Sequence, residues 1–255
     1  MKIHTLEGYI QHIYLVEHGS ELLLLDGCCR ADVDVVCHFI QQLQKPLSAL
    51  KLIVVTHMHP DHAGGAHKLR KLTGAKIATA NAPSQWYRGI DGVMMHLSDM
   101  ALALWVAGRK RKAKRNLWYP RRLAPDFFLA DGDKLPYFEQ WQAIHTPGHT
   151  DRDISLLHQP SGRMYVADLT VKVKGQFVAP FPVFYPRLYR LSLAKVKALQ
   201  PHSLILAHQG EVPASDIDFD ALIANAPKQP MTHWRSVKKK TSALGSRSLI
   251  NPRSV

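Results

Sequence analysis

The chain has 255 residues, 46% hydrophobic and 21% charged, the proportions of a packed globular protein rather than a disordered or fibrous one. Its formal charge of +13 is concentrated: residues 108–122 carry eight Lys or Arg and residues 226–255 seven more, neither with an acid, so the remainder has a net charge of −2. The longest near-apolar stretch, 93–107, is broken by His96 and Asp99 and is too short to span a bilayer; the opening residues lack the apolar core of a secretory signal, which points to the cytosol.

In chain order, residues 11–16 and 21–25 read as two strands joined by a His18-Gly19-Ser20 turn. Three cysteines follow or lie close by (Cys28, Cys29 and Cys37), an odd count that makes no disulfide framework and fits a reducing compartment. Residues 32–44 have helical apolar spacing and stop before Pro46. A short β-branched run at 52–55 has the character of a buried strand, residues 63–72 form a helix ended by Thr73-Gly74, and 76–79 is strand-like again. Residues 80–126 are a helical insertion that pairs the basic run with an apolar helix, whose Met94, Met95, Leu97, Leu102, Leu104 and Trp105 are too dense for a surface helix. Strands are expected at 127–129, 140–145, 154–158, 164–167 and 203–207, and helices at 187–199 and 215–225, with a Pro- and aromatic-rich loop over 172–189. Two groups of strands with helices between and after them predict a layered α/β sandwich spanning 1–225, with 226–255 as a flexible basic tail.

The strongest chemical signal is His57-Met58-His59-Pro60-Asp61-His62, on the loop between a strand and a helix. This pattern arises by chance in about 0.003 of chains so rich in His and Asp. On extended backbone His57 and His59 point the same way and can serve one ion, while Asp61 and His62, at the helix start, turn toward a neighbouring position. His149, Asp168 and His208 each come at or just beyond the C-terminal end of a predicted strand. Four coincidences at one kind of position indicate a metal site.

With these residues in place, the sequence resembles the metallo-β-lactamase-fold hydrolase superfamily over residues 11–225. The resemblance implies a four-layer αββα sandwich, with His57, His59 and His149 on one divalent ion. It implies Asp61, His62 and His208 on a second ion, with Asp168 bridging, and Asp26 as an acidic orienting group. Zinc is the first choice for imidazole and carboxylate ligands, with iron or manganese as alternatives. Two such ions share a water and lower its pKa toward ~7, giving a bridging hydroxide that Asp61 would orient as the catalytic residue. Cys28 and Cys29, beside Asp26, are expected to be buried and inert.

The segment around His57 is most similar to that of the glyoxalase II-like thioesterases and related lactonases, which implies hydrolysis of a thioester, ester or lactone. Thr150-Asp151-Arg152-Asp153 departs from the small Gly/Ser segment of that branch. The insertion is expected to cover a small-molecule substrate, its apolar helix over an acyl chain and its cations on a phosphate-bearing or acidic part. Two other classes stay open: a phosphodiesterase or nuclease drawn to nucleic acid by the basic segments, and a non-catalytic metal-binding module. A membrane surface is a further partner that the apolar helix and its cations would fit.

Overall fold

A computed structural model describes residues 1–82 and 84–232; residues 233–255, most of the expected tail, lie outside the described residues. Fourteen strands and six α-helices follow one another among the described residues. The N-terminal half contains β1 (Lys2–Glu7), β2 (His12–His18), β3 (Glu21–Leu25), α1 (Val33–Gln42), β4 (Leu50–Val55), α2 (Pro60–Ala63), α3 (Ala66–Thr73), β5 (Lys76–Ala80), α4 (Gly89–Arg109) and β6 (Phe127–Leu129). The C-terminal half contains β7 (Lys134–Leu135), β8 (Phe138–His145), β9 (Ile154–His158), β10 (Arg163–Ala167), β11 (Val171–Val173), β12 (Gln176–Val178), α5 (Pro186–Leu199), β13 (Ser203–Leu206), β14 (Gly210–Pro213) and α6 (Phe219–Ala224).

The strands form two mixed sheets, ordered β1-β2-β3-β4-β5-β6 and β14-β13-β10-β9-β8-β7, plus the small β11-β12 hairpin. Their central strands are apolar on both faces, as strands covered on both sides must be. In β3, Leu22 and Leu24 enter the core beneath α1 and α3, whereas Leu23 and Leu25 enter the core between the sheets. In β10, Tyr165 and Ala167 face the inter-sheet core while Met164 and Val166 pack with Leu193 and Val196 of α5. Period-two alternation thus feeds three apolar layers between four layers of secondary structure, the αββα sandwich that the sequence implies.

Strand direction positions the site. β3 and β4 run parallel, as do β10 and β13, and β8 is antiparallel to β9, itself antiparallel to β10. The C-terminal ends of β8, β10 and β13 therefore share one edge. The two sheets meet there through His12 N–H to the Ala207 carbonyl (2.8 Å) and the Tyr14 hydroxyl to the Leu206 carbonyl (2.8 Å).

Some details differ from the sequence expectation. β1 is an added edge strand whose side chains are mostly exposed or half-buried, leaving little apolar alternation to read. The expected 63–72 helix is divided into α2 and α3 at Gly64-Gly65, where a Cβ on Gly64 would lie 2.2 Å from the Pro60 carbonyl oxygen. The 172–189 loop contains the β11-β12 hairpin and the first residues of α5. The final helix shortens to α6 after a single 3-10 turn.

The largest correction concerns α4. It is 21 residues long, and by length and composition apolar enough to cross a membrane, whereas the sequence reading took the 93–107 stretch as too short to do so. It is also less buried than its apolar density implies: Met94, Leu97 and Trp105 are exposed, while the polar His96 and Asp99 are buried against the domain.

Candidate metal centre

All seven sequence-predicted residues converge at the shared strand edge. His57 to His62 occupy the loop after β4 and the first residues of α2, His149 the loop after β8, Asp168 the residue after β10, and His208 the loop after β13. Asp168 directly follows a register shift in β10 between Tyr165 and Ala167, with Ala167 in the left-handed region at φ 46. A non-glycine residue there costs about 1–3 kcal/mol, a strain that concentrates at functional sites.

Two groups of possible ligand atoms result: His57, His59, His149 and Asp168, and beside them Asp61, His62 and His208. In the first, His59 Nδ1 is 3.0 Å from His57 Nε2 and 2.9 Å from His149 Nε2. In the second, Asp61 Oδ2 is 3.6 Å from both His62 Nε2 and His208 Nε2. The Asp168 carboxylate faces both groups. Its Oδ2 is 4.0 Å from His57 Nε2 and 3.5 Å from His149 Nε2 and His62 Nε2, and its Oδ1 is 3.3 Å from His208 Nε2. Two nitrogen ligands placed ~2.05 Å from one tetrahedral ion are about 3.3 Å apart, so these spacings fit shared cations.

The ring tautomers point the same way. His149 Nδ1 lies 2.6 Å from the Pro182 carbonyl, His208 Nδ1 3.2 Å from the Ile10 carbonyl, and His62 Nδ1 2.8 Å from Asp26 Oδ2. An ionised carboxylate or a carbonyl oxygen only accepts, so each Nδ1 carries a proton and each neutral ring keeps a lone pair on Nε2. His62 Nε2 is buried and makes no hydrogen bond. Lone pairs gathered at such distances repel unless a cation lies among them, so the residues present fit a metal pair.

The electrostatics divide accordingly. Burial, reinforced by the neighbouring His62, His59 and His149 rings, holds the His57 imidazole well below its usual range and therefore neutral. Burial acts to lower His62 as well, yet the carboxylates of Asp61, Asp26 and Asp168 outweigh it and raise the ring well above that range. A field that favours an imidazolium also favours a cation. Despite its burial, Asp168 is kept ionised by His62 and His208, well below the ordinary carboxylate range.

Asp26 acts as the orienting group that the resemblance implies. At the end of β3, with φ 75, its carboxylate accepts from Thr56 N–H (2.7 Å), Thr56 Oγ1 (2.9 Å), His62 Nδ1 (2.8 Å) and the Tyr165 hydroxyl (2.7 Å). It thereby joins both sheets to the second ligand group. Cys28 and Cys29 are fully buried, and burial pushes both thiols well above the usual range, as expected of inert cysteines.

Sequence reasoning missed Asp99, which α4 buries with Oδ2 3.7 Å from His59 Nε2. The Tyr87 hydroxyl donates to Asp99 Oδ2 (2.8 Å), and Tyr119 joins Tyr87 beneath the Met58 carbonyl. Burial raises the Asp99 carboxyl to about 7. A carboxylate opposite the ring nitrogen of a candidate ligand fixes that ring's orientation.

The cluster opens into a cleft bounded by His59, Asp61, His149, Asp168 and His208, with walls that include Ile10, Leu102, Val106 and Phe181. Among the described residues lining it there is no Lys or Arg. Lys110 and Lys112 instead line a separate cavity on the far side of His208.

The model of the metallo-β-lactamase superfamily matches residues 6–208. The chain belongs to that superfamily. It is 24% identical over 227 residues to the probable metallo-hydrolase YflN of Bacillus subtilis (strain 168), covering 81% of this chain and 83% of that protein. A metallo-β-lactamase family protein from Thermus thermophilus has the same fold, with a TM-score of 0.64 at 20% identity over 99% of this chain and 84% of the other. TTHA1623, solved in a di-iron-bound form, superposes with a TM-score of 0.56 at 18% identity, covering 89% of this chain and 99% of that one. Two His/Asp clusters in a superfamily fold suggest a dinuclear centre, with the identity of the metal left to chemistry.

Proposed function

We propose that the protein is a metal-dependent hydrolase that cleaves a thioester, ester or lactone with an apolar acyl part, in the manner of the glyoxalase II-like and lactonase branch. The carrying observation is the cleft: five of the seven cluster residues, His59, Asp61, His149, Asp168 and His208, line it together with Ile10, Leu102, Val106 and Phe181, with no Lys or Arg among the described lining residues to meet a phosphodiester. The likeness to a probable metallo-hydrolase supports the metal-dependent hydrolase part of this reading.

In this reading His57 Nε2, His59 Nδ1 and His149 Nε2 would hold one ion, and Asp61, His62 and His208 the other, with Asp168 shared. Zinc suits the imidazole-rich set, and iron is the alternative that the di-iron-bound neighbour supports. Bound divalent ions supply Lewis acidity and water that ionises near neutral pH. The chain's own residues do the rest. Asp61 orients the attacking water by accepting its hydrogen bond. Asp26 and the Pro182 and Ile10 carbonyls hold a proton on Nδ1 of His62, His149 and His208, so that Nε2 is the atom each ring would offer to an ion. The apolar walls hold the acyl part and exclude bulk water.

The test is a substrate panel on the metal-loaded protein: thioesters, lactones, bis-p-nitrophenyl phosphate and single-stranded RNA, each with and without chelator. Chelator-sensitive turnover of thioesters or lactones is the expected result. Turnover of the phosphodiester or RNA alone would overturn the substrate class.

A further inference from the structure

The side of α4 facing away from the domain is apolar along its whole length. Ile90, Met94, Leu97, Ala101, Trp105 and Gly108 recur at three- and four-residue intervals, and all are exposed. Ile90 is 83% exposed, Met94 48%, Leu97 43% and Trp105 60%. Spacing of this kind places them in one stripe, about 27 Å long at 1.5 Å per residue. The opposite face, with Gly92, His96, Asp99, Met100, Ala103 and Ala107, is buried, so the helix is fixed lengthwise on the domain. An amphipathic surface helix presents polar residues to water; this one is inverted.

Charge says what covers it. The stripe ends at the basic run of residues 108–122, which has eight Lys or Arg and no acid. Arg109 lies over the Trp105 ring, 5.5 Å from its centroid, and exposed Trp118 stands against His96 of the same helix. An apolar stripe with tryptophan and cations at its border is the composition of a helix lying in a lipid interface. A second copy would bring the same positive surface, and Asp91 is the single exposed acid on α4 to answer it; an anionic bilayer answers both the apolar stripe and the charge.

We infer that α4 seats this protein on an anionic membrane surface, its exposed apolar stripe in the interface and the exposed cations of 108–122, among them Arg109, Arg111 and Lys114, on lipid headgroups. Leu102 and Val106, one position round the helix from Ala101 and Trp105, wall the cleft, so the seated helix sets the cleft mouth beside the lipid. The inference stands on surface residues and does not depend on the hydrolytic reading.

Flotation of the full chain with vesicles tests it, using phosphatidylcholine alone or with roughly one third phosphatidylglycerol. The protein is expected to float with the anionic vesicles, and less so as salt is raised. Leu97→Glu with Trp105→Glu is expected to reduce the bound fraction at least about tenfold. The exposed pair Arg111→Gln with Lys114→Gln removes two cations without touching the stripe, and is expected to weaken binding about 30-fold. Turnover of a short, water-soluble ester is expected to be the same in both variants, which separates failure of docking from failure of catalysis. A chain that stays unbound with both vesicle types overturns the inference. So does binding that neither variant weakens, or a dimer that Leu97→Glu with Trp105→Glu splits while vesicle binding is absent.

Discussion

Replacing Asp26 with Asn changes one atom at the point where both sheets and the second ligand group meet. Asn can keep its carbonyl oxygen where Oδ1 accepts from Thr56 N–H, but its NH2 then occupies the place of Oδ2. Three donors converge on Oδ2: Thr56 Oγ1, His62 Nδ1 and the Tyr165 hydroxyl. The His62 contact can be rescued only if the ring turns to the other tautomer, with Nδ1 accepting and the proton on Nε2, which removes the lone pair offered to the cation. Partner groups that orient metal-binding imidazoles are worth about 10–100-fold in metal affinity. Hydrogen bonds to a charged group contribute about 1.5–3 kcal/mol each, so losing two costs roughly 3–6 kcal/mol of stability. The assay is competitive metal titration against a chromophoric chelator, with urea denaturation of the metal-free protein alongside. The second equivalent of metal is expected to weaken by that factor. The first is expected to be less affected, because Asp26 bonds directly to His62 and reaches His57 only through Thr56 Oγ1. An Asp26→Asn protein that binds two equivalents with unchanged affinity would refute the tautomer argument.

Asp61→Ala is expected to lower kcat at least ~100-fold while circular dichroism and thermal melting show a folded protein, since an orienting carboxylate is worth about that much; an active variant would remove Asp61 from the reaction. Asp32 is buried, which raises its carboxyl from 3.8 to about 6, with the Tyr9 N–H donating to it. Between those values the folded state binds more protons than the unfolded state, so stability falls as pH rises through that window, by up to about 3 kcal/mol. Asp32→Asn is expected to flatten this slope in urea titrations across the window, and an unchanged slope would contradict it. Gly148 has φ 153, and a Cβ there would lie 2.4 Å from Tyr189 Cα in α5. Gly148→Ala is therefore expected to displace the His149 loop and cost about 2–5 kcal/mol in denaturation experiments; wild-type stability would show that the loop has room.

The central strands and the ligand residues were legible because both are written in short-range patterns. Leu22–Leu25 and Leu52–Val55 are continuous apolar runs, which only strands covered on both sides require. The His57–His62 segment presents its own spacing, and His149, Asp168 and His208 declare themselves by following apolar strands. Asp99 had no such signal, because its partner His59 is 40 positions earlier and the two meet only when α4 packs over the cleft. The exposure of α4 was illegible for another reason: apolar density measures affinity for a nonpolar surrounding and does not say whether protein or something else supplies it. Met94, Leu97 and Trp105 have the composition of core residues and the position of surface ones.

The most direct test of the metal centre is anomalous diffraction from crystals of the metal-loaded protein, with elemental analysis of the same sample. Two ions per chain are predicted, one among His57, His59 and His149 and the other among Asp61, His62 and His208, with Asp168 contacting both. A single ion, or a pair in which Asp168 touches neither, would contradict the account.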